Sequence, residues 1–107
     1  MELQNINSDT YVIAVDNTSK SATLVADYGP TANVICYNGS DQAVFITSGI
    51  TAPTAVFPTS ASVPVKGQII APWATMTYEL SQGHRAISAI QAVAGTGSLY
   101  ITAGEGV

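Results

Sequence analysis

The chain has 107 residues, enough for one hydrophobic core and too few for two. Only 9% of its residues are charged and the net charge is -4, where ordinary soluble domains carry roughly 25% charged residues. The three basic residues, Lys20, Lys66 and Arg85, are scattered. That argues against direct nucleic-acid binding, which needs clustered cations to replace phosphate counterions, and against an acidic membrane surface, which would repel the chain.

The start, Met1-Glu2-Leu3-Gln4-Asn5, has neither a basic nor an apolar region, so no signal peptide is expected. No apolar run approaches the ~20 residues of a membrane helix. Residues 1–9 are polar and read as an N-terminal arm, and residues 10–107 read as a single β domain.

From there the pattern is β throughout. Thr10 to Val15 puts Tyr11, Ile13 and Val15 on one face, and Ala22, Leu24 and Ala26 alternate in the next strand. Tyr28-Gly29-Pro30 ends it. Asn33 to Tyr37 is nearly continuous in apolar residues, as a buried strand is. Asn38-Gly39 then reads as a hairpin turn, because both residues tolerate positive φ, with the loop extending through Ser40-Asp41. Gln42 to Ser48 is rich in β-branched and aromatic residues.

Gly49 to Gly67 breaks the rhythm. Pro53, Pro58 and Pro64 block central strand pairing, so the segment reads as a long extended loop, with at most an edge strand near Ala55 to Phe57. A short strand follows at Gln68 to Ala71. Ala74 to Leu80 has the cleanest alternation, with Ala74, Met76, Tyr78 and Leu80 on one face. Arg85 to Val93 reads as a strand despite its alanines, since Ile87, Ile90 and Val93 are β-branched and no N-cap is evident. Leu99 and Ile101 alternate in the last strand. About eight short strands imply an all-β, single-domain antiparallel β-sandwich, jelly roll or small barrel.

Chemistry-bearing residues are few. His84 is the single histidine and Cys36 the single cysteine, short of the three or four ligands of a zinc site. Cys36 lies in an apolar run and reads as a small hydrophobe, with no disulfide partner. His84 reads as an exposed turn residue. The acids fall mostly at turns or termini, with Glu79 alone well inside a strand. Asp9 and Asp16 match no calcium loop. Gly95-Thr96-Gly97 and Gly104-Glu105-Gly106 lack the spacing of phosphate loops. No catalytic residue, metal or cofactor is expected. Trp73 reads as a plug of the core, an interface anchor or a sugar platform, in that order.

Ser, Thr, Ala and Gly take the place of the missing charge. Such a surface is poorly protected against association, which fits a subunit whose faces meet partners as well as it fits a neutral, Thr-rich β-protein.

Val34 to Gly49, with Asn38-Gly39-Ser40 followed by Ala43-Val44-Phe45, resembles a hairpin found in small structural proteins of tailed bacteriophages. Ile70-Ala71-Pro72, Ala89-Ile90, Gly95-Thr96-Gly97, Leu99-Tyr100-Ile101-Thr102 and the closing Gly104-Glu105-Gly106 follow in family order, and together these pieces cover roughly half the chain. The resemblance is to capsid decoration (cement) proteins. It implies a non-enzymatic virion protein, made in the host bacterial cytoplasm. Its place would be the outer capsid surface, on the major capsid protein, as a homo-oligomer (dimer or trimer). Docking across a seam would staple neighbouring subunits through linked weak contacts.

Loop length and apolar character, rather than a motif, nominate Val56, Phe57 and Pro58 as the capsid or subunit interface, with Leu3 and Ile6 of the arm second and Trp73 as a further anchor. An alternative is a tail, fibre or head–tail accessory domain that binds another virion protein or a host glycan; Trp73, Tyr78 and Tyr100 on one exposed face would favour the glycan. A small hydrolase would need Cys36 or Glu79 to line a pocket with His84.

Overall fold

The computed structural model describes residues 9–24, 33–59, 63–81 and 83–104. The expected arm at Leu3 and Ile6, the turn at Tyr28-Gly29-Pro30 and the end of Gly104-Glu105-Gly106 lie outside these residues. The described chain forms eight strands: β1 (Asp9–Ile13), β2 (Lys20–Thr23), β3 (Asn33–Ser40), β4 (Val44–Gly49), β5 (Gln68–Ile70), β6 (Thr75–Glu79), β7 (Ala86–Ile90) and β8 (Gly97–Gly104). No helix occurs among the described residues.

The strands form two four-stranded antiparallel sheets, ordered β1-β8-β3-β6 and β2-β7-β4-β5. First pairs with last, second with seventh, third with sixth and fourth with fifth. This is the wrapping of a jelly roll. The protein is an all-β sandwich.

The alternating residues set the faces. Ile13 of β1, Leu99, Ile101 and Ala103 of β8, and Val34 and Cys36 of β3 line the inner face of the first sheet. Val44 and Ile46 of β4, Ile70 of β5, and Ile87 and Ala89 of β7 meet them from the second sheet. Each fully buried side chain of this size stabilises the fold by about 1.5–3 kcal/mol.

β7 is buried on both faces, because the second sheet is covered on its outer side as well. The cover is the Pro-containing segment after β4. The Ser88 hydroxyl donates to the Pro53 carbonyl, and the Ala55 N–H donates to the Ser19 hydroxyl at 2.8 Å. Phe57 meets Phe45 edge-on, with ring centroids 6.3 Å apart. Ala55 is buried beneath the segment. No strand forms over residues 55–57. The segment is a strap over the sheet, held by side chains rather than by a ladder. Gly67 ends it at φ 151, where a Cβ would run into the Ile46 carbonyl and the Phe45 ring.

The turn expected at Asn38-Gly39 is not there. Both residues belong to β3, neither has positive φ, and β3 and β4 lie in different sheets. The chain turns at Asp41 to Ala43 and crosses the sandwich. Gly39 has another reason to lack a side chain: a Cβ there would press on the Tyr37 and Tyr100 rings, which lean over it.

Candidate functional site

Asn38 is completely buried at the end of the sandwich. Its amide nitrogen donates towards the carbonyls of Gln42 at 2.9 Å, Ile70 at 3.1 Å and Ala71 at 3.2 Å. Its amide oxygen accepts the Ser40 hydroxyl at 2.6 Å and the Ser40 N–H at 3.2 Å. Buried Gln91 donates to the Ser40 oxygen at 2.8 Å and accepts from the Gly95 N–H at 3.1 Å. Asp41 accepts from the Thr96 N–H at 2.8 Å. Three inter-strand connections, at 41–43, 71–74 and 91–96, are thereby tied to one polar cluster. Low polarity around such a network strengthens each bond and raises the cost of breaking one.

The tied turn at Ala71 to Ala74 carries Trp73. The Ala74 N–H donates to the Ala71 carbonyl at 3.2 Å, with Pro72 in the second position and Trp73 in the third. Trp73 has φ 61. A type II turn requires positive φ at that position and ordinarily recruits Gly. The indole-bearing residue is 60% exposed, so Trp73 is no plug of the core. It is a strained, solvent-facing aromatic on a braced turn.

Beside this turn lies the outer face of the first sheet. Register places Val12, Tyr100, Tyr37 and Thr75 in one row across four strands, with Thr10, Thr102, Ile35 and Thr77 in the next. Tyr37 and Tyr100 stack, their centroids 6.1 Å apart and their planes 24° apart. Val12, Tyr37 and Tyr100 are exposed. Glu79, at one corner, is the only charged residue on this face among the described residues. Tyr78 points to the opposite, inner side. Trp73, Tyr78 and Tyr100 therefore do not share a face, and the aromatic pair that does form is Tyr37 with Tyr100.

Between the sheets, on the side of β5 and β6, a cavity of about 330 Å³ opens. Val34, Ile46 and Ile87 form its apolar floor, and Ser48, Lys66, Glu79 and His84 also line it, so Glu79 and His84 do border one cavity. His84 is half-buried rather than free in a turn: its Nδ1 is 2.8 Å from the Ser48 hydroxyl. No carboxylate among the described residues is bonded to His84. The pair thus lacks the orienting third group of a nucleophilic triad. The Tyr78 hydroxyl is buried at the cavity without a hydrogen-bond partner among the described residues. Desolvation, and secondarily the nearby Cys36, pushes its ionisation upward. Burial pushes the Cys36 thiol up to about 12; Cys36 is fully buried in the core and is not among the residues that line the cavity.

The remaining nominated residues have mixed fates. Val56 is 57% exposed on the strap, while Phe57 and Pro58 are half-buried, Phe57 against Phe45. Asp16 binds Thr18 and Lys20 rather than a loop of carbonyls. The outer-face row and the Asn38 network had no local signal in the sequence, since each draws residues from four or more separate segments.

Comparison of the chain with protein-family models, with curated proteins and with solved structures finds no match in any of the three.

Proposed function

We propose that this protein is a non-enzymatic subunit of a tailed-phage virion that decorates the outer capsid surface, laying the outer face of its first sheet against the major capsid protein. The observation that carries the reading is that face: four strands wide, built from Thr, Tyr, Val, Ile, Ser and Gly, with one acid at its corner. A face whose one charge stands at its corner has little charge to desolvate when a partner covers its centre. Its exposed Tyr pair is the kind of residue enriched at the centres of interfaces. The sequence resemblance to decoration proteins and the scarcity of charge support the same reading. Stapling would be physical: contacts to several capsid subunits act together at high effective concentration.

The test is co-sedimentation with empty, expanded phage capsids, with Tyr37→Lys and Tyr100→Lys as variants. Bound wild-type chain that protects capsids against heat, and loss of binding by either variant with the fold intact, supports the reading. A chain that ignores capsids refutes it.

The stacked Tyr37–Tyr100 pair also favours a second reading, a tail or fibre domain that stacks a host sugar ring on this face. Binding to bacterial polysaccharide, lost in the same variants and unaccompanied by capsid binding, would establish that alternative.

A further inference from the structure

β6 is an edge strand of the first sheet. Natural edge strands are blunted by charged residues, Pro or bulges; here these stand only at the strand's ends, Pro72 and the Trp73 turn before it and Glu79 at its close, while Thr75-Met76-Thr77-Tyr78 carries none. The hydrogen-bonded register follows from Asn38, whose N–H bonds the Ala74 carbonyl. Antiparallel pairs alternate between bonded and non-bonded. Cys36 with Met76 and Val34 with Tyr78 therefore exchange bonds, while Thr75, Thr77 and Glu79 turn their N–H and C=O groups away from β3. Among the described residues nothing pairs with that edge. Met76 records the same opening, because it points to the core side yet is 45% exposed.

We propose that β6 pairs antiparallel with β6 of a second copy about a two-fold axis at Thr77, and that Trp73 of each copy seats in the cavity of the other. A two-fold interface must be self-complementary. The register centred on Thr77 is the symmetric one that uses all three outward residues, setting Thr77 against Thr77 and Thr75 against Glu79. The two Glu79 carboxylates then stand four residues apart along the strand, about 13 Å, beyond a physiological Debye length of ~8 Å. Met76 falls opposite Tyr78 of the second copy, a favourable sulfur–aromatic pairing.

Trp73 stands on the turn just before β6, so the pairing brings it to the far end of the second copy's β6, where Leu80 and Ser81 line the cavity. Each copy thus offers one strained, exposed indole and one apolar-floored opening, and the pairing brings the two together. The indole N–H is a donor, and the Tyr78 hydroxyl in that cavity has no hydrogen-bond partner among the described residues.

This names the self-association step of the assembly reading. Its test uses the isolated chain without capsids, so its failure leaves the capsid reading standing. Sedimentation velocity of the full chain should give twice the 11.0 kDa chain mass. Trp73 is the only tryptophan, so its fluorescence reports its own burial, with blue-shifted emission in the dimer and a red shift on dilution. Thr77→Lys puts two cations on the axis at an exposed position and should yield a folded monomer with red-shifted emission. Trp73→Ala should weaken the dimer at least about tenfold, ~1.4 kcal/mol. A chain monomeric at every concentration overturns the proposal. So does a dimer that tolerates Thr77→Lys, or one whose Trp73 emission is that of a water-exposed indole.

Discussion

The Trp73 N–H donates to the Asn38 carbonyl at 2.8 Å, yet the Asn38 N–H bonds Ala74 rather than Trp73, at 2.9 Å. One residue of β3 thus faces two residues of the partner segment, which is the count of a β-bulge. The bulge lies just before β6 and leaves Trp73 in left-handed backbone. A non-glycine residue there costs about 1–2 kcal/mol. A position held against that cost is a candidate for function.

The first expectation concerns that strain. Trp73→Gly, made in a Thr77→Lys background so that association does not contribute, should raise the unfolding free energy by about 0.5–1 kcal/mol. The gain is the relieved strain less the greater freedom of Gly in the unfolded chain. Urea unfolding measures it. A loss of stability would mean that the indole packs on its own chain.

A second expectation tests the polar cluster. Asn38→Leu keeps the γ-branched outline of Asn, in a larger side chain, but removes the donors to Gln42, Ile70 and Ala71 and the acceptor for Ser40. Buried groups left unpaired each cost about 1–3 kcal/mol. Some relax towards solvent, so the net loss should be about 3 kcal/mol in urea unfolding. A loss below about 1 kcal/mol would show that the network is replaceable by packing.

The outcome at Asn38 also marks where the sequence was readable. Alternation at Ala74, Met76, Tyr78 and Leu80 and at Leu99 and Ile101 identified strands and faces, because a half-buried sheet imposes a period of two locally. Asn38-Gly39 misled for a physical reason. Asn is favoured in turns because it bonds nearby backbone, and here the same amide bonds backbone 32 and 33 residues away. Gly39 likewise serves two tyrosines from different strands. Of the candidate site, Trp73 is legible as an aromatic able to anchor an interface, but its left-handed backbone belongs to a residue type that announces no such geometry. The Tyr37–Tyr100 row needs the register of β3 against β8, which no local window contains.

A third expectation separates the strap from docking. Phe57→Asp puts a charge against Phe45 and removes an edge-on aromatic pair, itself worth about 0.5–1.5 kcal/mol. The variant should lose about 2 kcal/mol and gain protease cleavage within 50–59. Val56→Asp, one residue away on the exposed side, should change stability by no more than about 0.5 kcal/mol. If Phe57→Asp is as stable as the native chain, the strap is not held by this contact. If Val56→Asp alone abolishes capsid binding, the strap is part of the docking surface.

A fourth expectation is a pH dependence at the opposite end of the hierarchy, in one exposed turn. Asp16 accepts the Thr18 hydroxyl at 2.7 Å and the Thr18 N–H at 2.9 Å, and Lys20 lies 3.1 Å from its other oxygen. These bonds, the Thr18 hydroxyl first, then the Thr18 N–H and Lys20, hold its carboxyl at about 2, below its ordinary value of 3.8. A depressed carboxyl stabilises the fold while it is ionised. The contribution is complete above the unfolded value and is lost as pH falls through the folded one. Asp16→Asn keeps an acceptor but not the charge. Its stability should trail the native chain at neutral pH, and the gap should close between about pH 4 and pH 2. The loss matters beyond the turn, because the Asp16 carbonyl accepts the Gln91 N–H at 2.8 Å. Loosening 16–20 therefore reaches the residue that braces Ser40, and Gly95 amide exchange should quicken in Asp16→Asn at neutral pH. Unchanged exchange at Gly95 would confine the effect to the turn.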